Sequence, residues 1–240
     1  MTGFGYNVNG FGAGGKPFVA DPGQQVFTSN GTWTCPVGVT SISVVAVGGG
    51  GGGPNDSGAL GKSGGAGGGT GWINGLAVTP GTDYSIVVGA GGARSLNNAT
   101  AGSGGDSYFV NATDYVTGKG GTYIVGGGYV GDDGTDGQDT SPEAGGGQYT
   151  FTQSGVTMET GARGGQDYYY AEPGGGGVGL DGGTGGAGNN GSGSQGGTGG
   201  NYGGGGGVGN GGGGGNGGPG AVRIMWGEGR AYPDTNASDV

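Results

Sequence analysis

From Gly176 to Gly218 every third residue is glycine, with Ser194 as the one exception. The other two frames hold the variety, among them Leu180, Asp181, Asn189, Gln195, Tyr202 and Val208. Gly58, Gly61, Gly64 and Gly67 repeat the spacing earlier in the chain. An α-helix would show a period of 3.6 and a strand a period of 2, so neither accounts for it. Collagen shares the period but needs proline at about 15–20%, and 9 prolines in 240 residues fall far short. The remaining three-residue structure is polyglycine II, a left-handed extended helix rising about 3.1 Å per residue. It has no internal hydrogen bonds, so each N–H and C=O points sideways and needs a neighbouring helix or water. Glycine is required where two such backbones touch, because a β-carbon would hold them apart. Ordering a residue costs about 1–2 kcal/mol while a hydrogen bond returns about 0.5–1.5, so a lone helix fails and a packed lattice is expected. Laid straight, Gly174 to Gly220 would span on the order of 145 Å, so the segment must fold back several times. Its turns then become loops at the ends of a rigid bundle.

Glycine accounts for 79 residues, hydrophobic residues for 30% and charged ones for 10%. An ordinary domain has roughly 45–50% and about 25%, so a conventional core cannot run through the whole chain. Glycine-rich disorder is disfavoured by 12 Tyr, 6 Phe and 3 Trp. The apolar residues gather in β-like runs. FTSNGTWTCPVGVTSISVVAV reads as three strands, with turns at Ser29-Asn30-Gly31 and Pro36-Val37-Gly38. Pro80-Gly81 separates strands at Leu76–Thr79 and Tyr84–Val88. Further strands are expected at Ser107–Val110, Tyr123–Val125, Gln148–Thr152 and Ala221–Trp226. Ile42, Val44 and Ala46 alternate as one buried face. The expected fold is mainly β: a small antiparallel β-sandwich, jelly-roll or tumour-necrosis-factor-like, carrying an inserted polyglycine II bundle and little or no α-helix. Residues 1–24 read as an attachment arm, 25–226 as the glycine-rich domain and 227–240 as a tail.

Seven basic against 17 acidic residues give a net charge of −10, which argues against nucleic acid and membrane surfaces as partners. Cys35 stands alone, so no intramolecular disulfide forms. MTGFGYNVNG has neither a basic nor an apolar leader region, and no apolar run reaches eighteen residues, so synthesis in a cytoplasm without a membrane anchor is expected.

Two segments carry a resemblance: VFTSNGTWTCPVGVTSISVVAVGGGGGG and LAVTPGTDYSIVVGAGG, followed by GGDSYF and a long glycine block closing in a strand. The chain resembles, over residues 24–226, the glycine-rich domain of tailed-phage adhesins and other virion proteins. GPGAVRIMWGEGRAYPDTN is similar to C-termini of structural proteins in marine cyanobacterial phages. The resemblance implies a β-module that opens and closes the domain, polyglycine II helices between, and recognition loops at the helix tips. The glycine-rich domain of some receptor tyrosine kinases shares the architecture, but those are secreted and disulfide-bonded, and one cysteine without a leader argues against them.

Tyrosine offers a large contact face at low entropic cost, which makes Tyr129, Tyr149, Tyr168, Tyr169, Tyr170 and Tyr202 the candidate receptor-binding residues. The competing assignment is that such rings cap the bundle or fill the sandwich; Trp33, Trp72 and Trp226 are expected to pack. Asp132 to Glu143 has the spacing of a twelve-residue calcium loop, with Asp at 5, Gly at 6 and Glu at 12. Gly134 at position 3, Asp139 at position 8 and the lack of flanking helices favour a solvated acidic loop. Were calcium bound, Asp132, Asp136 and Glu143 would be its ligands; no other cofactor is expected. Leu60-Gly61-Lys62-Ser63 lacks the first glycine of a phosphate loop, where Asp56 stands. Without histidine no ordinary catalytic triad can form, so no enzyme is expected. Asn98, Asn111 and Asn236 open glycosylation sequons, which matter only in a secretory pathway. The expectation is a virion-surface structural protein, foremost a tail-fibre tip adhesin. Its partners would be other virion proteins and a host surface glycan or protein, with a homo-oligomer as one arrangement. A capsid or tail decoration protein is the alternative within the class, and an ice-binding or extracellular fibre protein outside it.

Overall fold

The computed structural model describes residues 20–55, 64–96, 100–110, 116–118, 120–121, 150–153, 156–159, 186 and 192–231. Its strands are β1 (Gly23–Phe27), β2 (Gly31–Thr34), β3 (Ser41–Val47), β4 (Thr70–Ala77), β5 (Asp83–Val87), β6 (Ser107–Phe109), β7 (Val116–Gly118), β8 (Thr150–Gln153), β9 (Val156–Glu159) and β10 (Ala221–Trp226). They form two antiparallel sheets, ordered β1-β10-β3-β4-β9-β8 and β2-β5-β6-β7. No helix occurs among the described residues. The fold is therefore mainly β, as the alternating and β-branched runs require. The expected strand at Tyr123–Val125 lies outside the described residues. β4 starts at Thr70, earlier than the expected Leu76, and β1 takes in Gly23 and Gln24, which were expected to belong to the arm.

The alternation in β3 sorts its side chains. Ile42, Val44 and Ala46 face the second sheet with Val222 and Ile224 of β10, against Trp33, Ile86, Phe109 and Val116. Trp33 is the centre of this layer, its ring 5.8 Å from Tyr84, 6.3 Å from Phe109 and 5.9 Å from Trp226. On the opposite face of β3 and β10, Val45 and Met225 pack with Trp72. Between Ile42 and Val44 the ladder with β4 slips by a residue, and Gly75, at φ +71°, absorbs the bulge.

Glycine segments fill the connections β3–β4 and β5–β6 and the approach to β10. The segment leaving β3, 48–54, is buried throughout. Its amides donate outward at three-residue intervals: Gly48 and Gly51 to Gly69 and Ala66, Gly49 and Gly52 to Gly105 and Gly102, Gly50 and Gly53 to Gly218 and Gly215. Its carbonyls accept from three further directions: Gly50 and Gly53 from Gly92 and Ser95, Gly51 and Pro54 from Gly206 and Gly209, and Gly49 from Gly121. One central segment thus has six hydrogen-bonded neighbours, and a partner recurs every third residue. A strand, with its two edges, cannot make this pattern.

The same geometry explains which residues are not glycine. In 89–93, a Cβ at Gly89 or Gly92 would meet the backbone at 105 or 102, and one at Gly91 the backbone at 217. The third frame holds Ala90 and Ala93, both exposed. In 211–220 the pressed positions are 212, 215 and 218 together with 214, 217 and 220, leaving the third frame to Asn216 and Pro219. Two of the three frames are closed to side chains by neighbouring carbonyls and the third is open.

Candidate functional site

The glycine segments run from the sandwich at one end to a set of turns at the other. The near end is marked by Gly48, Gly69, Gly203 and Gly220, all next to strand ends or to one another. At the far end Asn55 is 3% exposed and ties two turns together: its Nδ2 donates to the Leu96 carbonyl at 2.8 Å, and its Oδ1 accepts from the Gly211 amide at 2.9 Å. An asparagine suits this position because one side chain carries both a donor and an acceptor. The Ser194 carbonyl accepts from the amides of both Asn210 and Gly212, and Gly209 bridges to Asn55. Gly193, Gly211 and Gly213 take positive φ where the chain reverses. Four separate stretches, at 55, 95–96, 192–194 and 209–213, therefore converge on one end.

That end presents Leu96, 53% exposed, beside intermediate or exposed Ser194, Asn210 and Gly211. Ser95 is buried, and its Oγ has no hydrogen-bond partner among the described residues. Behind the turns, the Arg94 amide donates to Asn216 Oδ1 at 2.9 Å. Among the described residues this surface is polar with one exposed apolar side chain, held by main-chain bonds and one buried amide. Such a surface can recognise a partner by shape and hydrogen bonds.

Of the candidate tyrosines, Tyr202 is described. It sits in the turn at the near end, at φ +68°, half-buried against Val47 and Ala221. Tyr129, Tyr149, Tyr168, Tyr169 and Tyr170 lie outside the described residues, as do Asp132, Asp136 and Glu143. Trp33 and Trp72 are buried at 1% and 7%, and half-buried Trp226 packs on the core. Sequence reasoning did not single out Asn55; its position directly after Gly51-Gly52-Gly53-Pro54, at the end of a glycine run, was the available signal. Cys35 is buried, its Sγ 3.3 Å from the Val39 carbonyl, and desolvation pushes its thiol above the ordinary value of 9.0.

A family model described as a glycine-rich domain matches residues 25–227, nearly the whole of the described fold. The chain belongs to the glycine-rich domain family. The matched range opens within β1 and closes one residue after β10, the two strands that pair along Gly23↔Trp226 to Phe27↔Val222. The glycine-rich domain is thus closed by its own first and last strands. No curated protein matches the chain.

Proposed function

We propose that this glycine-rich domain is a virion structural protein of a tailed phage, acting as a tail-fibre tip adhesin that recognises a host surface component without catalysis. In this reading the hydrogen-bonded glycine segments are polyglycine II helices, and the converging turns at their far end are the base from which recognition loops are displayed. The observation that supports it best is the Asn55 latch at the end of a six-neighbour backbone lattice. A binding surface made of loops gains affinity when the loops are held before contact, since less entropy is lost on binding. The two strand segments that resemble phage adhesins, and the length of glycine between them, support the assignment to a virion.

Residues 1–24 would then serve attachment to the particle, and Tyr129, Tyr149 and Tyr168–Tyr170 would be the adaptable contact residues. Purified full-length protein should bind host cells saturably and block infection in competition. Binding to capsids or tails alone, with no effect on adsorption, would refute the adhesin and leave a decoration protein.

A further inference from the structure

At the end of the sandwich away from the glycine segments, the ends of β3, β4 and β10 leave a cavity of about 390 Å³. Ser41, Ser43, Asn74, Met225, Trp226 and Arg230 are among its lining residues. The volume lies within the range of small-molecule sites. Gly227 and Gly229, at φ +116° and +76°, turn the chain back after β10. Arg230 is thereby brought under the sheet, where its carbonyl accepts from Ser43 Oγ at 3.1 Å.

The side chain of Arg230 is 9% exposed. Its Nε and Nη1 have no hydrogen-bond partner among the described residues. Among the described residues Nη2 reaches only Gln24 Oε1, at 3.5 Å. That same oxygen accepts from Arg223 Nε at 2.8 Å and from Arg223 Nη2. Arg230 therefore shares its one acceptor among the described residues with a second guanidinium, and an arginine keeps its charge. A buried cation with unmet donors is costly, and an anion entering the adjacent cavity would relieve it.

We propose that the cavity is a carboxylate-binding site with Arg230 as its anchoring cation. Of the two arginines, Arg230 alone is among the described residues that line the cavity, and its guanidinium supplies one positive charge and a planar pair of donors, which match a monoanionic carboxylate. A phosphate dianion would leave a charge unmet, and Glu228, on the exposed rim, repels the dianion more strongly. Ser41 and Asn74 offer neutral polar contacts, and Met225, on the sheet face of Val45 and Trp72, is apolar lining for the group that bears the carboxylate. To reach the ligand the long side chain of Arg230 rotates while its carbonyl stays on Ser43 Oγ. The site is at the opposite end from the converging turns, so it stands or falls independently of what those turns bind.

The test uses ¹⁵N-labelled full-length protein, following the arginine Nε–H signals and the Trp226 indole N–H, which donates to the Asp21 carbonyl at 3.0 Å. Sodium acetate is titrated against sodium chloride and inorganic phosphate at matched ionic strength. Saturable movement of the Arg230 signal with acetate alone is the expected result, together with a loss of affinity of about tenfold or more in Arg230→Lys, which keeps the charge and loses the fork. No saturable movement overturns the site. Equal movement with chloride or phosphate overturns the carboxylate assignment. Should Arg230→Lys fail to fold, the Trp226 signal in the unaltered protein decides between the same outcomes.

Discussion

Replacing Gly50 by alanine puts a methyl group onto the backbone carbonyl of Gly204 in the neighbouring glycine segment. Ordinary contact needs 3.4–4 Å, so the two segments must part by about 1 Å or more, enough to break the hydrogen bonds that join them. Those bonds run from the Gly206 amide to the Gly51 carbonyl at 2.9 Å and from Gly209 to Pro54 at 3.1 Å. Each leaves a buried group unmet, at about 1–3 kcal/mol apiece. Alanine restricts the unfolded chain and returns about 0.4–1 kcal/mol. The net loss is about 1–6 kcal/mol, against a total stability of about 5–15 for a typical domain. For a chain of this size it should lower the melting temperature by roughly 2–20 °C. The matched control is Ala93→Ser, in the exposed open frame of its segment, which should change stability by less than about 0.5 kcal/mol. Urea and thermal unfolding, followed by tryptophan fluorescence, measure both. If Gly50→Ala unfolds no more readily than Ala93→Ser, the lattice does not hold the fold together and the reasoning fails.

Asn55→Ala should cost about 1–3 kcal/mol and speed exchange of the Gly211 amide, since it strips partners from the Leu96 carbonyl and the Gly211 N–H; unchanged Gly211 exchange would remove the latch from the account. Tyr202→Ala should destabilise by about 1–3 kcal/mol through lost packing on Val47 and Ala221, and leave any host-cell binding intact. Because the native state holds the Cys35 proton where the unfolded chain would release it, stability should fall as pH rises past 9.0; Cys35→Ala should flatten that slope in urea titrations run at several alkaline pH values. Calcium should leave the melting temperature unchanged, as expected of a solvated loop at Asp132, Asp136 and Glu143; a saturable rise abolished by Glu143→Gln would show a bound ion.

Strands with β-branched alternation are legible in the amino-acid sequence: β3 and β10 form where their residues predict, and the turn at Pro80-Gly81 has Gly81 at φ +76°. β7 and β9 are not. Val116-Thr117-Gly118 and Val156-Thr157-Met158-Glu159 are too short to show a period, and their partners, not their own residues, make them strands. The glycine period is legible but its frame is not uniform. Gly203, Gly206, Gly209, Gly212, Gly215 and Gly218 are pressed against neighbours in the frame expected, whereas Gly196 and Gly199 stand one residue off it, and in the first block the pressed positions are Gly65 and Gly68. Each turn resets which frame meets the neighbour, and most segments are pressed in two frames because they have neighbours on several sides. The buried Arg230 is illegible for a related reason. An arginine a few residues after a β-strand reads as a surface charge until the turn at Gly227 and Gly229 carries it under the sheet.

Native-state hydrogen exchange at the central glycine segment tests most directly whether a backbone lattice stands in for a hydrophobic core. The amides of Gly51 and Gly52, bonded at 2.8 Å to Ala66 and Gly102, should exchange within about tenfold of Val44 and Ile224 in the sandwich, because all open in one global unfolding step. Exchange of Gly51 and Gly52 near the unfolded-chain rate, while Val44 and Ile224 stay protected, would contradict it.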